Sequence, residues 1–188
     1  MHFEQTIASV ERSVREAFAA TDGWFDRPAD LRAFRPPAGG WTIDEILEHV
    51  TLTNHFLMLT LRKQVSIAKK RAATAGNLPA GESDLARLDV IGEHGSFGWP
   101  RPEHMEPTGV PSSADVRRTL ARQRDECLAM LAEMPKGEGA LCRVTMTVNG
   151  LGKIDLYQWL YFIAQRARRH VQQMAAIARA GCGTSARA

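Results

Sequence analysis

The chain has 188 residues, 44% of them hydrophobic and 24% charged, with a formal net charge of +3 from 24 basic and 21 acidic side chains. That length suits one domain with a continuous core, and the apolar fraction excludes an intrinsically disordered chain. So small a positive excess argues against nucleic acid as a partner, because dedicated binders gather basic charge on one face.

Phe3, Ile7, Val10, Val14 and Phe18 recur at helical spacing and predict a first helix over residues 3–20, stopped by Asp22-Gly23. From Trp24 to Gly40, Pro28, Pro36, Pro37 and the Gly39-Gly40 pair read as a loop. The second helix has the clearest start. Thr42 and Glu45 are spaced as a capping box, with Trp41 and Ile46 at the positions of a hydrophobic staple. Ile43, Leu47, Val50, Leu57 and Leu61 then mark a buried stripe to about residue 68. The basic run Lys69-Lys70-Arg71 falls just beyond, where cations suit the negative end of the macrodipole.

Residues 72–112 are broken by repeated Gly and Pro, with a short helix near Leu85–Val90. A connection this long is functional or mobile, and it is expected to pack over one end of the helices. Ser112-Ser113 opens a third helix that ends by Pro135, its apolar face formed by Val116, Leu120, Cys127, Met130, Leu131 and Met134. Cys127 on that face reads as a core filler, since no histidine is near it in sequence. Residues 142–148 alternate and are rich in β-branched side chains. Asn149-Gly150 follows as a turn signal, so a small hairpin is expected. Asp155 and Gln158 repeat the capping-box spacing, with Ile154 and Trp159 at the staple positions, and open a fourth helix to about Arg179. The expected fold is all-α: an antiparallel four-helix bundle over residues 1–180, with a long irregular connection between its second and third helices. Residues 181–188 read as a flexible tail.

An odd set of cysteines (Cys127, Cys142 and Cys182) without a CxxC pair points to reduced thiols and a cytoplasmic setting. The amino-terminal residues enter an amphipathic pattern at once, and no stretch is apolar for long enough to span a bilayer, so no membrane partner is expected.

His49 stands beside the stripe of the second helix, and His170 lies on the stripe Trp159, Ile163, Arg166, His170, Ile177 of the fourth. Two inward histidines on two helices can meet across a bundle and share zinc, nickel or iron. They can equally be hydrogen-bonded core histidines, and most metal sites of this kind need at least three protein ligands. The glycines of Asn149-Gly150-Leu151-Gly152-Lys153 lack the Walker spacing, so a turn is read there. Trp99, between Gly98 and Pro100, is a candidate for a pocket mouth.

The segment Gly40-Trp41-Thr42-Ile43-Asp44-Glu45-Ile46-Leu47-Glu48-His49 resembles the first-histidine motif of the DinB/YfiT-like superfamily. The stretch from Gly150 to Met174, with Gln158-Trp159-Leu160 and Arg166 to Met174, resembles that family's last helix, where the usual pattern is His, three residues, His, then a Gln. The resemblance implies a bundle, often a homodimer, that holds a divalent metal with three histidines. Its characterised members include thiol-dependent S-transferases, an isomerase and metal-dependent hydrolases. Carried over by position, the ligands would be His49, residue 166 and His170.

Residue 166 is arginine, which offers no lone pair and stays protonated. Its spacing to His170 points both at the same space, and an inward Arg is costly unless paired. Arg166 is therefore expected to meet a carboxylate, with Glu45 and Glu48 as candidates, or to hold an anionic ligand. His55 faces another side of its helix, His94 and His104 lie in the long connection and could fold over the pocket, and His2 is terminal. Three readings follow: a metal-dependent small-molecule transferase or hydrolase, a bundle whose degenerate metal site binds a small or anionic ligand, and a structural dimer module. The second is preferred, with no catalytic residue assigned.

Overall fold

The computed structural model describes residues 3–96, 98 and 102–185, of which 182–185 by backbone alone. Helix α1 (Glu4–Asp22) turns Val10, Val14, Ala17 and Phe18 into the core, as the periodicity predicts. The proline-rich stretch after it is not all loop. Pro28, with its fixed backbone angle, precedes a single-turn helix α2 (Ala29–Ala33). Arg32 of α2 donates to Asp44 Oδ1 and Ser113 Oγ, each at 2.7 Å, and so ties α2 to the starts of the next two long helices.

Helix α3 (Ile43–Thr74) begins with the expected capping box: Glu45 N donates to Thr42 Oγ1 at 3.2 Å, and Thr42 N to Glu45 Oε2 at 2.7 Å. It runs past the expected end near residue 68. The basic run therefore lies inside the helix, where Lys69 pairs with Glu133 at 2.6 Å and Arg71 donates to the Leu141 carbonyl at 2.8 Å. The long connection is held at both ends. Its 3-10 turn over Ala86–Gly92 buries Leu88 and Ile91, and Asp89 Oδ1 accepts from Tyr161 Oη and Gln165 Nε2 at 2.7 Å each. A Cβ at Gly92 would stand 2.7 Å from Gln165 Oε1, so the glutamine side chain packs closely on this turn. A second 3-10 turn covers Glu103–Met105.

Helix α4 (Ser113–Ala132) is capped by Ser112, which accepts from Asp115 N at 3.2 Å. Strands β1 (Arg143–Met146) and β2 (Gly152–Asp155) form an antiparallel pair, with Arg143 opposite Asp155 and Met146 opposite Gly152. Their turn places Asn149 at φ 47° and Gly150 at φ 65°, left-handed positions that Asn and Gly adopt at least cost. Helix α5 (Leu156–Ser185) opens on the second box, with Gln158 N donating to Asp155 Oδ1 at 2.9 Å and Asp155 N to Gln158 Oε1 at 3.0 Å. Its backbone continues past Arg179 to Ser185.

The chain is thus mostly helical with one small two-stranded sheet. Helix α1 packs on α4 and α5, and α3 packs on the same two. Phe18, Leu47, Met58, Leu61, Leu120 and Phe162 are fully buried where the four meet, so the stripes read from spacing do form one core. Cys127 belongs to that core, and burial pushes its thiol up to about 12. No helix among the described residues is long and apolar enough to cross a membrane.

Candidate functional site

The second turn of α3 carries Glu48 and His49, and one face of α5 carries Arg166, Arg169, His170 and Gln173 at spacings of three and four. His49 and the α5 face form the floor of a cavity of about 750 Å³, which neither Glu45 nor Glu48 lines. Its walls come from Trp41, from Leu57 of α3, from the end of the long connection with His94, Pro102 and Met105, and from the hairpin with Met146 and Asn149.

His49 is buried at the centre. Its Nδ1 lies 2.6 Å from the Met105 carbonyl oxygen, and its Nε2 lies 2.8 Å from Arg166 Nη2. A carbonyl only accepts and a guanidinium only donates. The ring must therefore carry its proton on Nδ1 and turn the Nε2 lone pair to Arg166. Trp41 packs over this imidazole with ring centroids 4.6 Å apart.

Arg166 is 2% exposed. Burial, and after it the charge of Arg169, push its guanidinium down to about 9, which leaves it cationic at neutral pH. Neither of the carboxylates expected beside it is there. Glu45 is held by the cap and by Arg35 at 2.6 Å, which keeps its carboxyl below the usual range. Glu48 accepts from Thr108 N at 2.8 Å, Thr108 Oγ1 at 2.7 Å and Gly109 N at 2.9 Å, so it closes the end of the long connection instead. Both are corrections to the expected pairing. Glu45 is claimed by a local backbone donor at the helix start and by Arg35, and Glu48 by the returning connection, so neither carboxylate is left for a side chain on another helix.

His170 meets His49 edge to face, with centroids 5.1 Å apart. Its Nδ1 donates to Gln173 Oε1 at 3.0 Å, so a neutral ring presents a lone pair at Nε2. Burial first, then the charge of Arg166, holds the imidazole well below its usual value and keeps it neutral at pH 7. No described residue hydrogen-bonds its Nε2. Thr53, one turn beyond His49 on the cavity wall, buries a hydroxyl that makes no hydrogen bond among the described residues.

The remaining histidines sort by place. His94 lines the cavity, while His104 meets Phe56 edge to face with centroids 4.4 Å apart, and the exposed His55 meets the same ring edge to face at 5.3 Å. His2 and Trp99 lie outside the described residues. Met105, Arg169, Gln173 and the hairpin tip were not foreseen. The spacings of Arg169 from Arg166 and of Gln173 from His170 were visible signals, whereas nothing local announces the Met105 carbonyl.

The model of the DinB superfamily matches residues 7–174 of this chain. The chain belongs to the DinB superfamily. No curated protein and no solved structure matches it. As a DinB protein it would be expected to hold a divalent metal, but the residues present do not fit one. The His49 lone pair that would bind metal accepts from Arg166, the arginine itself has none to give, and no three His, Cys, Asp or Glu side chains converge among the described residues. The cavity instead contains two cationic side chains, Arg166 and Arg169, and no carboxylate among its described lining residues. Such a site attracts anions and repels divalent cations.

Proposed function

We propose that this DinB protein binds a small anionic molecule in the cavity between α3, α5 and the hairpin, with the charge of Arg166 standing where a metal's charge would be. The observation that carries this is the 2.8 Å contact of Arg166 Nη2 with His49 Nε2, which commits the metal-binding lone pair to a guanidinium. A carboxylate or phosphate in this cavity would meet two arginines, a charge-assisted arrangement stronger than neutral hydrogen bonds.

The frame for it is read as an antiparallel four-helix bundle, supported by the mutual packing of α1, α3, α4 and α5. The protein is read as cytoplasmic, supported by the free buried thiols of Cys127 and Cys142, and as a homodimer, on family resemblance.

The test is calorimetric titration of tag-free protein with sodium phenylacetate and with inorganic phosphate, beside elemental analysis after incubation with zinc and nickel. The expected result is saturable anion binding lost in Arg166→Gln, and no stoichiometric metal until Arg166→His supplies a third imidazole. Stoichiometric metal in the wild type that disappears in His49→Ala would overturn the reading and restore a metal-dependent transferase or hydrolase.

A further inference from the structure

The cavity floor is not uniformly a donor surface. Arg166 and Arg169 bring positive charge, Arg169 with its Nη1 donating to the Glu93 carbonyl and Ser96 Oγ, and beside Arg166 on the same helix face His170 presents an acceptor. Its tautomer is set by Gln173 Oε1, which takes the Nδ1 proton at 3.0 Å and leaves the lone pair on Nε2. A plain carboxylate satisfies the arginines and leaves His170 Nε2 without a donor. A ligand matched to the whole floor needs an anionic group and, one bond away, a hydrogen-bond donor.

We infer that the ligand is an α-hydroxy carboxylate with an apolar body: its carboxylate on the arginines, its hydroxyl donating to His170 Nε2. This rests on the anion reading above. The Thr53 hydroxyl, without a partner among the described residues, lies on the same wall and is a second polar group available to the ligand's head. Trp41, Leu57, Met105 and Met146 give the apolar wall for the body. Related head groups fit less well. An α-amino acid sets an ammonium against two arginines and a neutral imidazole, and an α-keto acid has an acceptor where His170 also has one.

The experiment compares mandelate, phenylacetate and benzoylformate, which share the ring and the carboxylate and differ at the α-carbon, on the full-length wild type. Mandelate is expected to bind about tenfold more tightly than either, the usual effect of one matched hydrogen bond. In His170→Phe, mandelate should fall to the affinity of phenylacetate while phenylacetate itself still binds, which also shows that the variant is folded. Equal affinities for mandelate and phenylacetate in the wild type overturn this inference and leave the anion reading standing. No binding of any of the three overturns both.

Discussion

Two stretches of α5, less than three turns apart, solve burial in opposite ways. At its start Tyr157 donates its hydroxyl to the Met134 carbonyl at 2.6 Å and stacks on Phe3 with centroids 5.3 Å apart. Gly137, at φ 104°, and Gly139 let the backbone come up against these rings: a Cβ would stand 2.6 Å from Phe3 or 2.9 Å from Tyr157. That layer closes on itself. Further along, Arg166 and His170 are set beside a cavity with two polar atoms, His170 Nε2 and Thr53 Oγ1, that no described residue matches. Polar groups buried for stability have their partners inside the fold, whereas groups buried for binding keep a place for one from outside.

The contrast predicts that lesions at the closed layer lower stability and spare binding, and that lesions at the open one do the reverse. The largest stability effect is expected for Gly137→Ala. A side chain at positive φ costs about 1–2 kcal/mol and the intrusion on Phe3 about as much again, which together lower Tm by roughly 10 °C. Thermal unfolding measures this, and anion affinity should be unchanged. Arg166→Met should lose at least about tenfold in phenylacetate affinity, while its Tm holds or rises, because a buried cation is replaced by an apolar side chain of similar length. A fall in Tm as large as that of Gly137→Ala would show that Arg166 is a core lock and break the comparison. Tyr157→Phe removes the hydroxyl that donates to the Met134 carbonyl and accepts from Gly139 N, for about 1–2 kcal/mol by chemical denaturation.

The smallest effect is one of pH. His170 is held below its unfolded value, so the unfolded chain binds the proton more readily, and folding stability falls as pH drops below about 6.5. From pH 7.5 to 5.5 the loss is about 1 kcal/mol, and it should vanish in His170→Phe. A stability that rises on acidification through this range would sink the assignment of a neutral His170.

Most of the frame was legible because it is local. Apolar stripes fix the long helices, and the reciprocal pairs Thr42–Glu45 and Asp155–Gln158 fix two of their starts within four residues of sequence. Helix α2 was hidden because prolines on both sides mask a single turn that Arg32 stabilises from outside. The site was legible only where spacing on one helix decides it, as for Arg166 with His170. What His49 and Glu48 touch depends on where a long connection returns to α3, and periodicity says nothing about that. Spacing alone therefore leaves Glu48 free for Arg166, whereas the returning connection claims it through Thr108 and Gly109.

The imidazole of His49 joins the cavity to the connection that covers it. One nitrogen takes a proton donor from Arg166 and the other gives its own to the Met105 carbonyl, so the two bonds share one π system. Hydrogen bonds in such a chain strengthen or weaken together. Glu48, one residue earlier, keeps hold of Thr108 and Gly109. Adjacent residues of α3 thus hold the connection at two points, His49 at the Met105 carbonyl and Glu48 at Thr108 and Gly109, and only the first of these holds is shared with the cavity floor.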